Sequence, residues 1–264
     1  MQISRLTNII FNKFSYCLPN HQFTKLPNCQ ITELPNYQIT ESPNQQMKLF
    51  VVPTPIGNLE DMTFRAVRVL KEVGLILCED TRTSGFLLKH FEIATPKTSY
   101  HLHNEHKITE QLVNEMLAGK TMAIISDAGT PGISDCAYLL VRECIKNNIP
   151  VECLPGATAL VPAVVASGLP CDTFLYLGFL PPKKGRHTLF TNLAAQKHTV
   201  VFYESPHRLA KTIKEMIGYF GPEKQVCVGR EISKKFEEYK RGTLQQLSDY
   251  YEEKGIKGEV VVVI

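Results

Sequence analysis

Thr121-Met-Ala-Ile-Ile-Ser-Asp-Ala-Gly-Thr-Pro-Gly-Ile-Ser-Asp135, continued by Cys136-Ala-Tyr-Leu-Leu-Val-Arg-Glu-Cys-Ile-Lys146 and Ile149-Pro-Val-Glu-Cys-Leu154, holds the fold in miniature. Thr121–Ser126 is a short, nearly unbroken apolar run, as expected of a strand covered on both faces. A glycine-rich loop follows, then an amphipathic helix near Ala137–Lys146 that ends in Asn147-Asn148, then a second apolar run. Strand, loop, helix and strand in that order predict a parallel sheet with crossover helices. Upstream, Leu49–Val52 ends at Pro53. A helix is expected from about Thr63 to Val73, with Ala66, Val67, Leu70 and Val73 on one face and Gly74 as its stop. Leu75–Cys78 reads as another strand, and Ile108, Leu112 and Met116 mark a helix stopped at Gly119. Downstream of Thr158–Ser167, Gly168-Leu-Pro170 interrupts the pattern. A second set then follows: Phe174–Phe179, Thr199–Tyr203, a helix after Pro206, Gln225–Arg230 and Val260–Ile264. The expected architecture is α/β in two domains, residues 47–165 and 170–264, joined near residues 163–172.

The first 46 residues are of another kind. Leu18-Pro-Asn20, Leu26-Pro-Asn28, Leu34-Pro-Asn36 and Ser42-Pro-Asn44 recur every eight residues. A proline in each unit blocks a useful helix and confines any strand to an edge. The segment is polar, so it is expected to be a disordered repeat extension, or upstream sequence ahead of a fresh start at Met47. It carries Arg5, Lys13 and Lys25 against Glu33 and Glu41, which leaves +2 of the chain's +3 on the remainder. So small a charge excludes a broadly basic surface. Eight cysteines without a Cys-x-x-Cys pair read as reduced residues of a cytoplasmic protein. No apolar run is long enough for a membrane span.

In an open α/β sheet, ligands bind beyond the carboxyl ends of the strands. Four unusual loops follow strands of the first domain and so share one rim: Pro53-Thr-Pro-Ile-Gly-Asn58, Glu79-Asp-Thr-Arg82, Ser126–Asp135 and Pro155-Gly-Ala-Thr-Ala159. Their glycines admit close backbone approach. No Gly-x-Gly-x-x-Gly opens a helix and no Gly-Lys-Ser/Thr follows a glycine loop, so a polyphosphate lacks its usual cradle. Asp127 and Asp135 in the loops suit a cationic or zwitterionic small molecule instead.

Val51–Asp61, Cys78-Glu-Asp-Thr-Arg82, Ile125–Asp135, Leu154–Ala159 and Phe202-Tyr-Glu-Ser-Pro-His-Arg208 together resemble the ribosomal RNA small subunit methyltransferase I family, of the tetrapyrrole-methylase-like class. The resemblance runs from Met47 to Ile264. It implies two α/β domains with S-adenosylmethionine in the cleft between them, a homodimer, and 2'-O-methylation of a cytidine ribose in the decoding region of 16S ribosomal RNA. The substrate is then 16S RNA or the 30S subunit. The octapeptide segment is foreign to the family pattern. So is the lack of the short helical region that many members carry beyond the strand matching Gly258–Ile264.

Carried over by motif, Pro55, the Asp127-Ala-Gly-Thr130 loop with Ile133, and Thr158-Ala159 are the expected cofactor contacts. Glu204 and Ile232 approach from the second domain. A ribose hydroxyl is a weak nucleophile, so a base or strong acceptor helps its transfer step. Glu79 and Asp80, at the end of a buried strand, are the catalytic candidates, with Arg82 orienting them or binding phosphate. An Asp80–Arg82 pair that only fixes the turn fits the same residues. Lys183, Lys184 and Arg186, in a basic loop after Phe179-Leu-Pro-Pro182, are the expected RNA contacts, and Lys234-Lys235 and Lys240-Arg241 are smaller basic pairs. The histidines of Tyr100-His-Leu-His-Asn-Glu-His106 lack a matching carboxylate or cysteine set, and a polar RNA-facing loop is expected there, with no metal. One rival is a same-fold methyltransferase acting on a small molecule such as a tetrapyrrole, which the near-neutral charge favours and the Pro53–Asn58 and Glu79–Arg82 motifs oppose; a rival of another class is a non-catalytic S-adenosylmethionine-binding protein.

Overall fold

A computed structural model describes residues 47–264. The repeat extension expected for residues 1–46 lies outside the described residues. The first half is a five-stranded sheet of β1 (Leu49–Val51), β2 (Leu75–Cys78), β3 (Lys97–Ser99), β4 (Met122–Ile125) and β5 (Val151–Cys153). Their order is β3-β2-β4-β1-β5, with every neighbouring pair parallel. The crossover helices are α1 (Phe64–Glu72), α2 (Thr81–His90), α3 (Glu105–Leu117) and α4 (Tyr138–Lys146). Thr63 caps α1 by accepting from the Ala66 amide, and Gly74 closes the turn into β2.

The apolar run in β4 is explained by its two covered faces. Met122 and Ile124 pack with Leu112, Met116 and Leu140 under α3 and α4. Ala123 and Ile125 pack with Ala66, Leu70 and Leu88 under α1 and α2. All four are at most 1% exposed, and each large aliphatic side chain so buried contributes about 1.5–3 kcal/mol.

The second half is built around β6 (Phe174–Phe179), β7 (Thr199–Glu204), β8 (Gln225–Arg230), β9 (Glu238–Thr243) and β10 (Val260–Val263). Its order is β6-β7-β10-β8-β9. Only β6 and β7 run parallel. Val260 and Val262 face a core roofed by α6 (Arg186–Ala194), α7 (Pro206–Phe220) and α8 (Leu244–Lys254). Val261 and Val263 face Ala163 and Val164 of α5 (Leu160–Ser167). Helix α5 therefore packs on the second sheet, and the expected join near residues 163–172 runs through or after a helix that sits with the half following it. The crossing between the two sheets is made by residues 154–159. Among the described residues, no helix is long and apolar enough to cross a membrane.

Candidate active site

The four loops at the carboxyl ends of the first sheet are bound to one another. Thr54 and Gly129 exchange two backbone hydrogen bonds of 2.9 Å, and the buried Thr54 hydroxyl donates to the Ser126 carbonyl at 3.0 Å. Thr130 Oγ1 donates to the Ala157 carbonyl at 3.0 Å. A Cβ on Gly156 would stand 2.6 Å from Cβ of Pro53, so only glycine lets these two loops meet. Gly129, at φ +83°, takes a left-handed conformation that favours glycine, and it lines the space between the loops and the second sheet.

Between the loops and the second sheet lies a cleft of about 360 Å³, within the range of small-molecule sites. Ala128, Gly129, Thr130, Ile133, Thr158 and Ala159 line it from the first half and Glu204 and Ile232 from the second, so the structure brings these expected residues together. Pro55 does not line it, and its neighbour Ile56 does. Asp127 also stands outside the lining, one residue before cleft-lining Ala128. Its carboxylate accepts from the Asp80 amide and its own amide donates to Glu79, both at 3.2 Å.

Three expected roles are changed by the geometry. Asp80 caps α2: its carboxylate accepts from the Arg82 amide at 2.8 Å and from the Arg82 guanidinium at 2.8 and 3.2 Å. Those bonds hold its carboxyl down at about 2, which fits the turn-fixing role and makes it a poor proton acceptor. Glu204 borders the cleft, but its carboxylate is taken up by partners within the second half. It accepts from the Thr212 hydroxyl at 2.8 Å and the Ser205 amide at 2.7 Å, and pairs with Arg208 at 2.6 Å. Arg186 is not a surface RNA contact: it is 8% exposed, pairs with Glu215 at 2.8 Å, donates to Thr212 and the Pro181 carbonyl, and stacks on Phe190. Gly185, at φ +84° before the first turn of α6, turns Arg186 inward while Lys183 and Lys184 stay exposed. Of the smaller basic pairs, Lys234 is tied to Glu231 and Glu259, and Arg241 donates to the Ala166 carbonyl.

Asp135 lines the cleft, as do Glu204 and Glu259, and among these three acids only Asp135 is not taken up by a basic side chain. Burial, reinforced by the negative charges of Glu79 and Asp127, raises its carboxyl to about 6. Asp127 is raised for the same first reason. Beside Asp135, the Ser134 hydroxyl bonds the Tyr176 hydroxyl at 2.6 Å across the cleft, and the Tyr176 ring meets Tyr203 edge-on at 5.4 Å. Burial pushes the Tyr203 phenol up, so it stays neutral. Tyr203, Phe179 and Val260-Val261 complete the wall. Their residue types read as strand core, and only the position of Tyr203 within Phe202–Arg208 signalled the site. At the opposite edge the Ser233 hydroxyl bonds Asp61, a second tie between the halves. An apolar, small-residue cleft with the Asp135 carboxyl in its lining suits a ligand with a flat apolar part and a cationic end. Among the described residues, no three His, Cys, Asp or Glu side chains are grouped to hold a metal ion.

Residues 48–248 match the model of the Tetrapyrrole (Corrin/Porphyrin) Methylases. Ribosomal RNA small subunit methyltransferase I of Synechocystis sp. is 48% identical over 82% of this chain and 78% of its own length. The protein of the same name from Halalkalibacterium halodurans is 46% identical over 82% and 75%. Among solved structures, uroporphyrin-III C-methyltransferase from Thermus thermophilus, complexed with S-adenyl homocysteine, superposes with a TM-score of 0.56. It is 20% identical and covers 82% of this chain and 96% of its own, a likeness of fold.

Proposed function

The chain belongs to the tetrapyrrole methylase family and, within it, to the ribosomal RNA small subunit methyltransferases I, and from that premise we propose that it methylates the ribose 2'-hydroxyl of a cytidine in the decoding region of 16S ribosomal RNA. The methyl donor in this reading is S-adenosylmethionine. The cleft supports the fit: Ala128-Gly129 and Thr158-Ala159 leave room and backbone groups for the adenosine and amino-acid portions. The Asp135 carboxyl in its lining favours a cation. When bound there, S-adenosylmethionine supplies an electrophilic methyl group on a sulfonium.

The chain's own contribution is alignment and a proton acceptor. Well-oriented reactants gain about 7–11 kcal/mol from positioning alone. Asp135 takes the proton of the ribose hydroxyl; a carboxyl raised to about 6 is a better base than an ordinary one and is still ionised at neutral pH. Glu79 and Asp127 keep Asp135 basic, and the Asp80–Arg82 pair fixes the turn that carries Glu79. Two exposed lysines, Lys183 and Lys184, serve as phosphate contacts. Two copies pair through the exposed Val161 and Val165 of α5 with Phe174 and Leu175 of β6, and the ribosomal substrate places the enzyme in the cytoplasm.

The observation that carries this reading is the relatives' identity of 46–48% over 82% of the chain, together with a cleft lined by the same loops that carry the motifs. The test incubates the protein with methyl-labelled S-adenosylmethionine and, separately, 30S subunits, bare 16S RNA and a tetrapyrrole, then digests the RNA to nucleosides. Label in 2'-O-methylcytidine is the expected result. Label in a base, or only in the tetrapyrrole, overturns it.

A further inference from the structure

Helix α2 starts beside the loop that lines the cleft. Its N-cap Asp80 is bonded through its amide to Asp127, the residue before cleft-lining Ala128. From there α2 extends about 15 Å. Its exposed residues are Arg82, Thr83, Phe86, Lys89 and His90, which at 100° per residue share one side of the helix. None is a carboxylate. Phe86 is 80% exposed in the middle of this face. A further cation joins the helix from the neighbouring strand: a Cβ on Gly85 would stand 2.8 Å from Lys97 Nζ, so the absence of that carbon lets the Lys97 ammonium rest on the helix at Gly85, the residue before Phe86. Among the described residues, neither Lys89 nor Lys97 has a carboxylate within salt-bridge reach, whereas Arg82 is paired with Asp80. Glu92, past the helix end, is the acid nearest in sequence to its far end.

A solvated helix face normally mixes both charge signs and hides its aromatics. This one sets a bare ring among cations and adjoins a cleft in which a nucleotide is to be methylated. Cations complement phosphates, and an exposed ring offers a π-face to any unpaired base. We propose that the Phe86 face of α2, flanked by Lys89 and Lys97, is a docking strip for an unpaired stretch of the substrate RNA next to the methylated nucleotide, with one base stacked on Phe86. The proposal rests on the RNA-methylating reading above.

The test measures methyl transfer to 30S subunits and to bare 16S RNA, together with affinity for S-adenosylhomocysteine. Phe86→Ala raises the KM for RNA between ~5- and ~150-fold, the span of one base–aromatic stack, and leaves S-adenosylhomocysteine affinity and kcat at saturating RNA unchanged. Phe86→Trp restores the KM, and Phe86→Leu does not. Lys89→Ala and Lys97→Ala each lower the salt slope of RNA binding by ~0.7. An unchanged KM in Phe86→Ala overturns the strip, as does rescue by Leu equal to that by Trp, which marks an apolar protein contact. A wild-type protein that methylates neither RNA form overturns the underlying function and the strip with it. Active wild type with indifferent variants overturns the strip alone.

Discussion

The two sheets solve the same burial problem differently. In the first, every strand pair is parallel and the central strand is apolar on both faces, so its carboxyl ends deliver loops and little else. In the second, antiparallel pairs dominate and the edge strand β9 is Glu238-Tyr-Lys-Arg-Gly-Thr243, polar along most of its length. The cleft inherits the contrast. The first half contributes small residues and backbone from loops locked by Thr54, Thr130 and Gly156. The second half contributes side chains from strand ends, Phe179, Tyr203 and Val260-Val261, as a wall. A precise cradle therefore comes from one half and a shaped cover from the other.

The largest expected effect separates a buried cation from its surface neighbours in the second half. Arg186→Ala takes from Glu215 its partner and leaves Glu204 to Arg208 alone, and is expected to cost about 3–5 kcal/mol, read as a lowered urea midpoint. If Arg186→Ala is as stable as wild type and binds RNA less well, Arg186 belongs on the surface after all. The sheets themselves come next. Ile124→Ala in β4 is expected to cost about 2–5 kcal/mol. Lys240→Thr in β9 removes a cation held 4.2 Å over the Tyr250 ring and should cost less than about 1 kcal/mol. Equal costs would erase the distinction between a doubly covered strand and an edge.

A smaller effect tests the cradle. Gly156→Ala forces Pro53 aside, with an expected loss of about 1–3 kcal/mol and weakened S-adenosylhomocysteine binding by calorimetry. Gly218→Ala in α7, where a Cβ meets nothing, should be neutral or stabilising by about 0.4–1 kcal/mol. The smallest structural effect is at Lys183 and Lys184. The double substitution to Ala should leave stability within about 0.5 kcal/mol while flattening the salt dependence of RNA binding.

The contrast also explains what was legible beforehand. Strands β1, β2 and β4 were readable because burial between helix layers demands apolar runs, and the edge strand β5 was readable only through the buried Ile149 and Leu154 that bracket it. Strand β9 was not, since an edge strand needs few apolar residues. Helix α2 lacks an apolar stripe: Gly85 and exposed Phe86 interrupt it, and its one signal was Asp80 as a cap. Helix α8 did carry a sign, the capping box of Thr243 and Gln246. Within the site, glycine loops announced themselves by composition. Tyr203 and Phe179 did not, because aromatics in strands ordinarily fill cores. Lys183, Lys184 and Arg186 look alike in sequence, and only the start of α6 at Gly185 decides which of them turns inward. Asp135 was visible as a loop acid, but its burial beside Glu79 and Asp127, which makes it the better base, needs the folded chain.

In the proposed reaction the locked loops of the first half hold one raised carboxyl, Asp135, for the reacting hydroxyl. The direct test is the pH profile of kcat/KM for RNA methylation by wild type and Asp135→Asn. A base must be ionised to act, so wild-type kcat/KM should climb with pH up to about 6 and level off above it. Asp135→Asn should lose that limb and about 10²–10⁴ in kcat, with S-adenosylhomocysteine affinity retained. A variant that keeps the limb near pH 6 and most of its turnover would contradict the account.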